Sequence, residues 1–237
     1  MRIRSFVACL WMALLLAACH GVSESEQMEE ALAQGEVFYG ESDNDSLVFV
    51  PGLEQAASFF AERKQWGKAA HAALYNGRAQ NAVHNKTAAM QSFKDTELYG
   101  GQAGDTLTVA WASYEMGRLL FLNENDEEAF SALTAAEQEF GNRFSAKALA
   151  QNMIAVWYLA LHDYENAENY LLLGLSNEVK APSQDIRMRL LNNYAVLHRM
   201  RGEYDRSIDC LRQISRENRD NESNLLINVL NLGMTFA

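Results

Sequence analysis

A small residue recurs along the chain at nearly constant intervals, and this regularity limits the fold more than any other feature of the sequence. It stands at Gly77, Gly117, Ala155, Ala195 and Gly233, so the successive intervals are 40, 38, 40 and 38. Twelve residues after each of the first four comes a second small residue, in turn Ala89, Ala129, Ala167 and Ser207. Four residues further on comes a large apolar one, in turn Phe93, Leu133, Leu171 and Leu211. A register kept over four cycles indicates one structural unit repeated along the chain.

Composition and turn signals indicate that the repeated unit is helical. Only 2 of the 237 residues are Pro, whereas β-sandwiches and barrels need many Pro and Gly turns. Turn-forming residues separate apolar helical runs at 123–126, 161–164 and 201–204, as they do between paired helices. The sequence therefore predicts an all-α chain.

This register resembles that of the tetratricopeptide (TPR) repeat, whose unit is an antiparallel pair of helices, here named A and B. The resemblance implies an α-solenoid of antiparallel helix pairs with a period of 38–40, which occupies the stretch 51–237. We expect a capping helix near 53–63, four helix pairs, and one unpaired terminal helix within 225–237. The family's Trp and closing Pro are absent, and its Tyr survives only at Tyr158. We place the excess over the usual period of about 34 in links between pairs, such as 100–104; an irregular helical bundle is the alternative.

The first nineteen residues predict export and lipidation. Arg2 and Arg4 form a positive head, residues 6–18 form an apolar run of 13, and Leu16-Ala17-Ala18-Cys19 follows. A run of 13 is too short for a membrane span, which needs about 20 residues, and fits a signal peptide over 1–18. Its ending resembles the bacterial lipobox, which implies that Cys19 becomes the acylated first residue of the mature chain. A plain secretion signal with an incidental Cys19 is the alternative. Residues 19–50, polar and acidic, read as a tether that can include a short helix around 26–34.

The net charge and the cysteine content limit which partners and which disulfides the chain can have. The net charge is −11, and loss of the two signal-peptide arginines makes it −13, so nucleic acid is a poor partner. Of three cysteines, Cys9 leaves with the signal and Cys19 carries lipid. Only Cys210 then stays a thiol, which excludes an intramolecular disulfide framework, and its apolar neighbours favour a buried structural role.

The sequence has no enzymatic signature. No two of the five histidines stand three or four residues apart, the spacing that places two metal ligands on one helix face; they are His20, His71, His84, His162 and His198. The Gly-rich segment 100–106 contains no Lys and follows a helix, so it fails as a phosphate-binding loop. We predict no catalytic residue, no cofactor and no metal.

In stacked helix pairs the A helices line the concave surface, where partners bind. The register predicts a groove that presents Arg, Asn, His and aromatic side chains to an extended peptide, with amides binding its backbone and Arg its carboxylates. The candidate groove residues are His71, Arg78, Asn81, Trp111, Tyr114, Arg118, Asn152, Arg189, Asn192 and Arg199. For the aromatic residues, packing between repeats is an equal alternative.

These features predict a non-enzymatic, lipid-anchored protein-interaction scaffold of the bacterial envelope, on the periplasmic face or the cell surface. Two alternatives stay open. The chain also resembles the extracytoplasmic half of longer sensor proteins of Bacteroidota-like bacteria, since the apolar segment 225–237 matches a fifth A helix without a polar outer face. The other alternative is an outer-membrane assembly or glycan-capture lipoprotein.

Overall fold

The computed structural model describes residues 23–40, 48, 50–122 and 126–217. Within these ranges the chain forms ten helices: α1 Glu24–Tyr39, α2 Leu53–Glu62, α3 Trp66–Ala82, α4 Lys86–Ala103, α5 Thr106–Phe121, α6 Asp126–Phe140, α7 Phe144–Ala160, α8 Tyr164–Lys180, α9 Gln184–Met200 and α10 Tyr204–Glu217. These described ranges contain no β-strand. The predicted signal peptide, Cys19, most of the turn at 123–126 and the terminal segment 225–237 lie outside the described residues, so they stay predictions.

The chain divides into two compact units, Met1–Asp105 with α1–α4 and Thr106–Ala237 with α5–α10. Consecutive helices pack as A/B pairs, α3 with α4 in the first unit, and α5 with α6, α7 with α8 and α9 with α10 in the second. The A helices of these pairs begin at Trp66, Thr106, Phe144 and Gln184, which repeats the intervals of the small residues. The predicted fold class, an all-α array of helix pairs at this long period, is confirmed.

The small residues of the register are required where the A and B helices cross. A Cβ built on Gly77 would lie 2.3 Å from Cε1 of Phe93, and one on Gly117 would lie 2.7 Å from Cγ of Leu133. Both partners are fully buried B-helix residues. Because each crossing places a large B residue directly on a small A residue, the spacing in the sequence records a contact between the helices of one pair.

The long period comes from the helices and not from the links, so the prediction about residues 100–104 is wrong. Helix α4 continues through Gly100 and Gly101 to Ala103, and only short links join each pair to the next, at 104–105, 141–143 and 181–183. Helices α3–α9 have 15 to 18 residues each. Glycine inside a helix costs about 1 kcal/mol relative to Ala, and packing of the rest of α4 outweighs that cost.

Most described turns end the preceding helix in the same way. His84 has a left-handed φ of 62°; its amide donates to the Asn81 carbonyl at 3.0 Å, and the next amide, of Asn85, donates to the Gln80 carbonyl at 2.9 Å. This pair of bonds is the Schellman motif, in which the left-handed residue is ordinarily Gly. The same pattern occurs around Lys64, Gly104, His162 and Gly202.

Helix α1 is longer than the short helix predicted around 26–34, and it packs on the folded part of the chain, so residues 24–39 do not form a loose tether. It has 16 residues, packs against α2 and α3, and buries only the stripe of Ala31, Gly35 and Tyr39. A Cβ on Gly35 would lie 2.7 Å from the Leu53 side chain and 2.9 Å from the Tyr75 ring, so both side chains pack directly on the Gly35 backbone. Sequence patterning underestimated this helix, because one narrow stripe, largely of small residues, resembles a polar linker.

Candidate ligand-binding surface

In the first unit, the candidate residues His71 and Asn81 lie on α3 and are partly exposed. The His71 side chain is 45% exposed, and its Nε2 lies 3.2 Å from Oδ2 of Asp105. The candidate surface of this unit therefore keeps two accessible polar side chains, one of them next to a carboxylate.

Arg78, the third candidate of the first unit, is a structural residue. Only 9% of it is exposed, and its Nη1 donates to the backbone carbonyl of Tyr39, the last residue of α1. A cation at a helix C-terminus satisfies a free carbonyl and interacts favourably with the helix dipole. The prediction that Arg78 faces a ligand is wrong, because its partner is this backbone carbonyl of an earlier helix.

In the second unit, Trp111, Tyr114 and Phe140 form an aromatic cluster between α5 and α6. The Trp111 ring centroid lies 4.7 Å from that of Phe140 and 5.7 Å from that of Tyr114. Tyr114 is only 3% exposed, so it belongs to the core, which was the alternative for this residue type. Trp111 and Arg118 stay partly exposed, and Arg118 pairs at 3.2 Å with the buried carboxylate of Glu115.

Asn152 also has an internal partner. It is buried, and its Oδ1 accepts a hydrogen bond of 2.8 Å from Nδ2 of Asn193, which connects the A helices α7 and α9. Asn152 thus positions α9 relative to α7.

The remaining candidates, Arg189, Asn192 and Arg199, lie on α9 and are partly exposed. We call the five accessible candidates of the second unit the A-face; they are Trp111, Arg118, Arg189, Asn192 and Arg199.

A buried polar network, absent from the sequence predictions, connects α6, α7 and α8. Gln151 donates to Glu137 and accepts from Asn177, both at 2.8 Å, and Lys180 donates to Asn177 at 3.2 Å. No spacing in the sequence announces these bonds, because the three helices contribute one or two residues each. The network fixes the mutual position of the helices behind the A-face.

A second polar cluster connects α8 with α9 and the turn after it. Arg201 donates to Oε2 of Glu168 at 2.6 Å and to the Tyr164 carbonyl at 2.8 Å, and the Tyr194 hydroxyl donates to Oε1 of Glu168 at 3.1 Å. The hydrogen bond from Arg201 lowers the pKa of Glu168. Burial, followed by the bond to Glu168, raises the pKa of Tyr194 to about 12. Glu168 therefore stays ionised and Tyr194 stays neutral over the physiological pH range.

In the described part of the chain, no three His, Cys, Asp or Glu side chains come together as a metal site would require. Among the described helices, none combines the length and apolar character needed to cross a bilayer.

Solved structures of other proteins share this architecture. BtubC (BKLC) of P. vanneervenii matches with a TM-score of 0.67 and 13% identity, over 88% of this chain and 83% of that chain. A thermophilic TPR protein of Thermus thermophilus matches with a TM-score of 0.56 and 17% identity, over 86% of this chain and 98% of that chain. The fold is TPR-like. At these identities the likeness concerns the fold alone. No protein-family model and no curated protein matches the chain.

The chain departs from the TPR repeat at the position of the repeat's Trp. The repeat's Trp stands four residues before the small residue of helix A, and that slot holds Ala73, Ser113, Gln151 and Leu191, all buried. At Gln151 the slot carries the amide that joins α6 and α8. In this pair, hydrogen bonds take the place of the large apolar contact that Trp would make.

Proposed function

We propose that this chain is a lipid-anchored, non-enzymatic protein-interaction scaffold of the bacterial envelope. The presence of TPR-like helix pairs and the Leu16-Ala17-Ala18-Cys19 signal in one chain supports this function. Acylation of Cys19 would attach the chain to a membrane, since two acyl chains give stable anchoring where one gives only marginal binding. The helix pairs would then present a surface for a protein partner.

The A-face of the second unit is the proposed contact for an extended, acidic peptide. It carries Arg189 and Arg199, and also Arg118, which lies beside the buried Glu115 carboxylate, in a chain whose net charge is −11. Arg binds carboxylates with paired, charge-assisted hydrogen bonds, and Asn192 offers an amide for a peptide backbone. Trp111 adds an aromatic edge, a residue type enriched among binding hot spots.

The contact is tested with charge reversal on α9. The double variant Arg189→Glu, Arg199→Glu is compared with wild type on an array of synthetic acidic and basic peptides. We expect wild type to retain acidic peptides and the double variant to lose them by at least tenfold. Arg212→Glu is the matched control, because Arg212 is an exposed arginine of the B helix α10 and should leave binding unchanged. Equal retention by the double variant and wild type would exclude the A-face.

The anchor is tested separately with labelled palmitate. Cells that express wild type should incorporate label into this chain, and cells that express Cys19→Ala should not. Equal label in both would refute lipidation at Cys19 and leave the peptide contact to be judged by the array.

A further inference from the structure

Very little chain lies between the proposed anchor and the first packed helix. From Cys19 to Ser23 there are four Cα–Cα steps, which span at most about 14 Å whatever their conformation. The distance from the anchor to the start of the folded part is therefore limited by covalent length alone.

The start of α1 is fixed at Ser23 by a capping box. The Ser23 amide donates to Oε2 of Glu26 at 2.8 Å, and the Glu26 amide donates to Oγ of Ser23 at 3.3 Å. These reciprocal bonds satisfy amides that would otherwise lack partners at a helix start. Arg63, just past the end of α2, lies 3.7 Å from Glu24 in the first turn. The first turn of α1 is thus connected to the rest of the unit.

Contacts along α1 hold the whole helix on the first unit. Glu29 pairs with Lys68 of α3, Ala31 and Gly35 pack in the middle, and Arg78 binds the last carbonyl at Tyr39. A helix fixed at its start, middle and end transmits the position of its N-terminus to α2 and α3. The anchor would consequently set the position of the unit and not only that of a loose segment.

We propose that the first unit is held at the bilayer surface, with the first turn of α1 within about 18 Å of the acylated Cys19. This inference rests on the proposed lipid anchor. Helix α1 is about 24 Å long, so even an upright α1 ends no more than about 38 Å from the anchor. A partner of the first unit, bound near His71 or Asn81, would then meet this chain close to the membrane surface.

The test measures how close α1 lies to lipid headgroups. A fluorophore is attached at Ser25→Cys, an exposed position of the first turn, in the full mature chain with Cys210→Ala to remove the other thiol. The acylated protein is placed in phosphatidylcholine vesicles that carry a nitroxide on the headgroup, a quencher that acts only at short range. The matched control has about 24 Gly and Ser residues inserted between Val22 and Ser23, which adds a mean span of about 27 Å.

We expect quenching of the wild-type spacing to exceed that of the inserted variant at least threefold, and Cys19→Ser to show none. Equal quenching in two acylated, vesicle-bound proteins would overturn the inference and leave the anchor intact. A chain that carries no acyl group and stays off the vesicles would overturn the anchor and the inference together.

Discussion

Gly77 tests whether the A/B crossing depends on the absence of a single methyl group. In Gly77→Ala the new Cβ would lie 2.3 Å from the fully buried Phe93 ring, which has no free space to enter. We expect the free energy of unfolding to fall by about 1–3 kcal/mol, as for other overpacked cores, measured by urea denaturation.

Gly101→Ala is the matched control in the same unit. Gly101 is also helical, but no atom lies within 4 Å of a Cβ built there. Replacing it should raise the free energy of unfolding by up to about 1 kcal/mol through helix propensity. A loss of similar size in both variants would contradict the proposed crossing contact.

His84 tests the cost of the left-handed turn. A non-Gly residue in this conformation carries a strain of roughly 1–2 kcal/mol. Gly removes this strain, but it also gives the unfolded chain more conformational freedom, which offsets part of the gain in stability. His84→Gly should therefore raise the free energy of unfolding by about 1 kcal/mol or less, and His84→Ala should give no gain. The urea midpoints of the two variants measure these changes in stability. A gain from Ala equal to that from Gly would show that relief of backbone strain is not the cause of the gain.

Among single residues, those defined by local register were predictable and those with distant partners were not. Gly77 and Phe93 belong to adjacent helices of one pair, so repetition of the pair along the chain revealed them. The partner of Arg78 is a backbone carbonyl of α1, and any carbonyl looks alike in a sequence. Asn152 was equally hidden, because its partner Asn193 belongs to a different helix pair.

Between helices, the Gln151–Asn177 hydrogen bond tests how polar groups replace the missing Trp of the repeat. Gln151→Leu should lower the free energy of unfolding by about 1–3 kcal/mol, because it leaves the buried Asn177 amide without this acceptor. The double variant Gln151→Leu, Asn177→Leu removes both partners and should recover part of the loss, since apolar replacement of a buried pair can be nearly neutral. A double-mutant cycle in urea measures the coupling, and strictly additive losses would mean that the bond contributes nothing.

The turns at 161–164 and 201–204 followed from the sequence, and α7 and α9 end at Ala160 and Met200, directly before them. Helix α1 was underestimated because its buried residues are Ala31, Gly35 and Tyr39, a pattern that linkers share. The extra residues of the period were misplaced for a related reason: Gly100 and Gly101 look like a turn, but packing of the preceding part of α4, up to the buried Gly100, keeps them helical.

Across the described chain, several carboxyl groups make the folded state sensitive to acid. Bonds from Arg201 lower the pKa of Glu168, and the hydrogen bond with His198 lowers that of Glu203. Carboxyls that bind protons less readily when folded stabilise the protein above their ordinary pKa of about 4.5, and this stability is lost as the pH falls through the lower, folded values. The urea midpoint should therefore decline below about pH 4.5, and Glu168→Gln with Glu203→Gln should flatten that decline. An unchanged decline in the double variant would assign the acid sensitivity to other groups.

The candidate surface as a whole was only partly predictable. Helical register identifies which positions of an A helix share a face, so Arg189, Asn192 and Arg199 were found on accessible surface. It does not reveal which of these positions other parts of the chain cover. Tyr114, Asn152 and Arg78 are covered in this way and therefore do not belong to the candidate surface.

The brevity of the links has a consequence for how the chain reaches its fold. Because only short links separate successive helices from α2 onwards, most of the packing joins helices that are neighbours in the sequence, with smaller contacts between helices two apart, such as α7 and α9. Closing such small loops loses little entropy, and proteins dominated by local contacts fold on the order of microseconds to milliseconds. Under the proposed export, the chain would expose its apolar helix faces on the far side of the membrane for only a brief time before it folds.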